Sequence, residues 1–338
     1  MAKDRETPVH RSRGPAEMGE EAIMKRLAAL LFAAVLLWSA PALALTEEEM
    51  TDAALAAGRA AVADCVDGSM TDVEKLTALH DWLALHCEYG HAPNSETAYG
   101  ALAEGSAACR GYSEGYACLA GLAGLEGTST YSEYLDHAWI LVTLDGTRYF
   151  SDCTWDDGKY ARLGLVRHKY WLFNEANAMD TGHLGWDSGE SVPGGELENA
   201  PWRYAVTRVN FLGDWAYYID GEFRLIRCGR ADWETETLLE LSLRWPDTDP
   251  EDGKDPEIYS GLNLLGDRLY FNTPAEVLSV DLLGGDLRTE FAPDTSERLI
   301  YGTAVREGRL CCSLAERPDA VLFDVLDTGV SAAEALYG

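Results

Sequence analysis

Cys109, His137 and Asp152 occur in that order within one stretch, residues 99–157. A thiol can attack a carbonyl, an imidazole can shuttle its proton, and a carboxylate can orient the imidazole. These three types suffice for thioester-based acyl transfer. Cys109 follows a small-residue turn, Gly105-Ser106-Ala107-Ala108, and opens a helical pattern. At a helix start, free backbone N–H groups and the macrodipole favour a thiolate. The N–H of Cys109 itself is a candidate oxyanion donor, and the Tyr99 hydroxyl is a candidate second one. Trp139 and Trp155 follow the histidine and the carboxylate closely in sequence and are candidates to wall the cleft or pack the core.

The elements around these residues predict how they meet. Residues 46–88 read as two helices, the second opening on a cap-like Thr71-Asp72-x-Glu74. Its face includes His80 and His86, read as structural. The helix after Cys109 carries Tyr112, Tyr116, Leu119 and Ala120 at helical spacing and ends at Gly124 to Gly127. Strand patterns follow over 128–134, 138–144 and 147–153, and Asp145-Gly146 marks a hairpin between the last two. Counting outward from that turn brings His137 and Asp152 to the same end of the hairpin. Asp156-Asp157 reads as a turn or cap pair. Helices followed by an antiparallel meander predict an α+β fold.

From residue 204 the sequence becomes strand-rich. Leu212-Gly213-Asp214 matches Leu265-Gly266-Asp267, and Glu307-Gly308-Arg309 is a looser third copy. The spacing suggests propeller-like repeats, too few to close a ring. The expected organisation is a leader over 1–44, a first domain over 45–195 and an all-β repeat domain over 196–338.

Three segments resemble the signatures of the bacterial transglutaminase-like superfamily: Gly105-x-x-x-Cys109-x-Gly111-Tyr112, His137-Ala138-Trp139 and Asp152-x-Thr154-Trp155-Asp156. The resemblance covers residues 70–160. It implies a papain-like core with Cys109 as nucleophile, His137 as base and Asp152 as its orienter. It also implies a peptidase, amidase or transglutaminase activity, or a binding protein that keeps the fold without activity.

Composition narrows the partners. A formal net charge of -30 argues against nucleic acid and against docking on anionic lipid. Met24-Lys25-Arg26, the apolar run 27–38 and Ala42-Leu43-Ala44 read as a secretion signal starting at Met24 and cleaved after Ala44. Export would permit disulfides among the eight cysteines. No Cys/His spacing fits structural zinc, and the calcium-like run 247–253 has its glycine one place late, so no metal and no cofactor are expected. The sequence therefore predicts a secreted or surface cysteine acyl-transfer enzyme acting on a protein or peptide, with amide hydrolysis ahead of crosslinking. A non-enzymatic surface binding protein is the competing class.

Overall fold

The computed structural model describes residues 45–158, 164–187, 189, 191–241, 245, 259–306, 308–317, 320 and 323–331. The expected leader over 1–44 and the 247–253 loop lie outside the described residues. Glu47–Gly338 forms one compact unit. It is α+β, built from helices and several antiparallel sheets that close into neither barrel nor propeller among the described residues.

Helix α1 (Glu47–Cys65) buries Ala54, Gly58, Ala61 and Cys65, one stripe at three- and four-residue steps. Helix α2 (Asp72–His86) starts at a capping box: Thr71 Oγ1 accepts from the Glu74 N–H, and Glu74 Oε2 accepts from the Thr71 N–H at 2.8 Å. Helix α3 (Cys109–Leu122) turns Tyr112, Tyr116, Leu119 and Ala120 inward. The Tyr116 hydroxyl donates to the Leu76 carbonyl at 2.9 Å and so ties α3 to α2.

Helix α3 packs on an antiparallel sheet of β3 (Glu126–Ser132), β4 (His137–Leu144) and β5 (Thr147–Ser151). Nearly every residue of β4 is buried. Its Ile140 and Val142 face the helices, while Trp139 and Leu141 pack with Phe150, Phe173, Ala178 and Val192 on the other side. A strand covered on both faces loses the apolar–polar alternation, which is why 138–144 reads as an unbroken apolar run. The strand expected over 147–153 stops at Ser151. Asp152 leaves the ladder and caps a short helix, α4 (Cys153–Asp156), by accepting from the Trp155 N–H at 3.1 Å. Helix α5 (Glu175–Thr181) follows.

Beyond residue 200 the chain lays down three antiparallel sheets in sequence order. The first is β6 (Asn210–Leu212), β7 (Trp215–Ile219), β8 (Arg224–Gly229) and β9 (Thr235–Glu240). The second is β10 (Asn263–Leu265), β11 (Arg268–Asn272), β12 (Val277–Asp281) and β13 (Arg288–Phe291). The third is β14 (Leu299–Arg306), β15 (Arg309–Ala315) and β16 (Asp324–Ser331). The sequence repeat is the first hairpin of each sheet. Gly213, Gly266 and Gly308 sit in its turn with φ of 57°, 59° and 74°, a conformation that favours glycine.

One hydrophobic core runs across residue 195. Ala216, Tyr218, Ile226 and Cys228 of the first sheet, with Trp202 and Val209, join the cluster that contains Leu76, Leu79, Tyr116 and Ile140. The opposite face of that sheet (Tyr217, Ile219, Leu225) packs on the second sheet, and the second packs on the third.

Candidate active site

Cys109 is the first residue of α3, and its N-cap, Ala108, has no side chain able to cap. The first-turn N–H groups are therefore left for the thiol. The helix start is fixed from behind: the Ala108 N–H donates to Ser95 O at 2.7 Å, and the short parallel pair β1 (Glu88–Tyr89) and β2 (Ser106–Ala107) leads into it. Burial pushes the Cys109 thiol up, but the His137 side chain and the N–H groups of Ala138 and Arg110 bring it below its ordinary value overall. Burial drives other thiols the opposite way: Cys65, Cys87 and Cys228 are pushed up to about 12 and Cys312 to about 11. Cys65, Cys87, Cys109, Cys118, Cys153, Cys228 and Cys312 are free thiols.

His137 opens β4, one residue after Asp136, whose φ of 49° turns the chain sharply into the strand. The Tyr131 hydroxyl donates to Asp136 Oδ1 at 2.6 Å and holds that turn. Nε2 of His137 donates to Asp152 Oδ2 at 2.7 Å, which leaves Nδ1 as the ring nitrogen for the Cys109 side. Burial disfavours charge on His137, but Asp152 and Cys109 outweigh it and raise its pKa to about 9. Asp152 has no exposed surface. Burial alone would raise it, yet its bonds from His137 and His183 hold it down at about 2.

His137 and Asp152 are thus hydrogen-bonded, His137 is near enough to lower the Cys109 thiol, and the Cys109 Sγ meets the Asp136 carbonyl oxygen at 4.0 Å. Of the other expected residues, Trp155 is half-buried and stacks on His137, with centroids 4.9 Å apart. Trp139, a candidate for cleft wall or core, is only 1% exposed and sits in the core beside His137. Tyr99 is half-buried at the start of a π-helical turn, Gly100–Glu104, and no hydrogen bond joins it to Cys109.

Sequence reasoning missed His183. It is fully buried, and its Nε2 donates to the same Asp152 Oδ2 at 2.9 Å. It lies in an irregular Gly-, Asp- and Ser-rich stretch with no periodic signal, so no pattern pointed to it. A second buried network was also missed. Asp81 Oδ1 accepts from His80 Nδ1 at 2.9 Å and from His168 Nε2 at 2.8 Å, while its Oδ2 accepts from the Val209 N–H at 2.7 Å. His80 Nε2 faces Asp156 Oδ2 at 3.3 Å, and Asp156 accepts from the Tyr170 N–H at 3.0 Å. Burial works against charge on His80, but Asp156 and Asp81 raise it to about 9. Asp156 therefore anchors α4 from below while Asp152 caps it from above.

Each histidine–aspartate group sets three metal-type donors within 4.8 Å of one another. Ligands around a tetrahedral ion with bonds near 2.1 Å would stand about 3.4 Å apart. The carboxylate-to-imidazole distances of 2.7–2.9 Å are instead those of N–H···O hydrogen bonds.

No protein-family model matches the chain, and none of the curated proteins matches it. Among solved structures, a crystal structure of a TGase is similar over 40% of this chain and 38% of that one, at 16% identity and TM-score 0.28. The computationally designed Ika4 protein is similar over 56% of this chain and 84% of that one, at 10% identity and TM-score 0.24. At these scores neither likeness bears on activity.

Proposed function

We propose that the chain is a cysteine-dependent acyl-transfer enzyme that cleaves peptide or side-chain amide bonds, with Cys109, His137 and Asp152 as its catalytic residues. One observation carries this reading. Of the cysteines, Cys109 combines an uncapped helix start with a neighbouring imidazole whose far nitrogen is bonded to a buried carboxylate. A thiolate–imidazolium pair is the resting state such an arrangement favours.

The steps follow from these groups. The Cys109 sulfur attacks the substrate carbonyl carbon, and the carbonyl π electrons move to oxygen. The N–H of Cys109 donates to that oxyanion. The intermediate collapses to a thioester as the C–N bond breaks, and the amine leaves with the proton from His137. His137 then takes a proton from water, whose oxygen attacks the thioester. The C–S bond then breaks, the carboxylic acid leaves, and sulfur departs as thiolate beside the protonated His137, which restores the resting pair. Asp152 keeps the imidazole in the tautomer with hydrogen on Nε2. An amine in place of water would give crosslinking by the same route. The pattern over residues 24–44 supports work outside the cytoplasm, on a protein or peptide.

The test is alkylation of the purified chain from pH 5 to 9, with Cys109→Ala as control. Fast labelling of one thiol well below pH 8, lost in the variant, supports the reading, and labelling at the rate of an ordinary thiol sinks it. Amide substrates assayed with and without added amine then separate hydrolysis from crosslinking.

A further inference from the structure

We propose that His183 is a positioning residue of this site: by donating to the same carboxylate oxygen as His137, it limits how tightly Asp152 holds the proton on His137. The inference rests on the acyl-transfer reading above and adds a fourth side chain to it.

The two imidazoles converge on one atom. His137 Nε2 is 2.7 Å and His183 Nε2 2.9 Å from Asp152 Oδ2, while Oδ1 takes the Trp155 N–H at 3.1 Å. Both nitrogens meet a carboxylate oxygen, so both carry hydrogen. Two donors on one oxygen share its charge, and each bond is weaker than it would be alone. His183 Nδ1 meets Thr181 Oγ1 at 3.1 Å, which fixes the ring from behind. The remaining surroundings are aromatic: Trp155, Phe173, Trp139 and Tyr170 lie with centroids 4.1, 4.8, 5.0 and 5.4 Å from the His183 ring. The titratable groups facing His183 are Asp152, His137 and Tyr170, and Lys169 Nζ lies 5.2 Å from the Tyr170 ring centroid. A space filler in such a cage would be apolar. A buried imidazole costs desolvation unless its N–H is used, and here it is used on the carboxylate that holds His137.

The experiment compares iodoacetate with iodoacetamide at Cys109 in the full chain. Only the anionic reagent is drawn by an imidazolium, so the ratio of the two rates falls as His137 loses its proton. His183→Phe keeps the ring volume and deletes the N–H, whereas His183→Gln retains an N–H. The expected result is a midpoint moved up by about one pH unit in His183→Phe, because Asp152 then acts on His137 alone, and returned toward the original in His183→Gln. An unmoved midpoint in folded His183→Phe overturns the proposal and leaves the acyl-transfer reading standing. If the unaltered protein shows no activated Cys109 thiol, both fall. Should His183→Phe not fold, ring 15N shifts of the unaltered protein decide: a His183 Nε2 without hydrogen overturns the proposal, and a protonated one supports it.

Discussion

The indole of Trp155 stacks on the imidazole of His137, with ring centroids 4.9 Å apart and planes 20° from parallel. The ring face lies where an imidazolium gains from π electrons and from the exclusion of water. Such contacts contribute about 0.5–2 kcal/mol, so Trp155→Ala is expected to slow alkylation of Cys109 at pH 6 by roughly 2- to 30-fold. Trp155→Phe should recover most of the rate. Equal rates in all three proteins would show that the stack does not stabilise the ion pair.

The site also carries a pH signature in stability. His137 is raised to about 9, so its contribution is fully present below its unfolded value near 6.5 and is lost as pH climbs through 9. Asp152 is lowered to about 2, so its contribution is present above about 4 and is lost as pH falls toward 2. In denaturant midpoints the contributions of these two groups should therefore decline below about pH 4 and above about pH 6.5, in addition to what other shifted groups contribute. In Asp152→Ala the acid-side decline should shrink.

Asp157 behaves in the opposite sense. Burial raises it to about 7 despite the Tyr112 hydroxyl bonded to it. The folded state then binds a proton that the unfolded state has already lost, and stability falls as pH rises from about 4 to 7. Asp157→Asn is expected to raise Tm at pH 8 and to change it little at pH 4. A loss of stability at pH 8 would show that the charged form is the one the fold needs.

Gly111 sits in the first turn of α3 with no room for a side chain. A Cβ there would meet Ser95 O at 2.2 Å and Ala107 Cβ at 2.8 Å. Gly111→Ala must push the 95 loop away from the helix start that it holds through the Ala108 N–H. The expected cost is about 1–3 kcal/mol, with slower labelling of Cys109 at neutral pH. Unchanged stability and unchanged labelling would mean the loop yields freely.

Asp81 is the acceptor for two buried imidazoles and a backbone N–H. Asp81→Ala strands all three donors, and losses of this kind cost about 3–5 kcal/mol. Chemical denaturation should show that loss. A cost under about 1 kcal/mol would mean water enters and replaces the carboxylate.

Much of this was legible in the sequence because it depends on local pattern. The helix after Cys109 shows its periodicity, Asp145-Gly146 marks the hairpin, and the hairpin's arithmetic places His137 near Asp152. The Leu-Gly-Asp repeat showed itself because a positive-φ glycine is needed at each turn. What stayed hidden depends on distance along the chain. His183 meets Asp152 across 31 residues, His168 meets Asp81 across 87 and Val209 meets Asp81 across 128. Nothing in the spacing of a lone histidine encodes such a partner. Trp139 takes the core place of the two open to it, cleft wall or core, because an aromatic two residues from a histidine looks the same in sequence whichever way it faces. Asp156 reads in sequence as a turn or cap residue because neither its burial nor the Tyr170 N–H it accepts from has a local sign.

The bond from the Val209 N–H to Asp81 has a consequence for how the chain is made. Every residue proposed for the chemistry is synthesised before residue 184, yet the aspartate beneath α4's anchor stays short of a donor until residue 209 has emerged. We expect a nascent chain ending before that point to leave α2 open to protease, and proteolysis of chains arrested at successive lengths would reveal protection of α2 arising early if this is wrong. The buried aspartate would then gain its last donor late in synthesis, when most of the polypeptide around it is already in place.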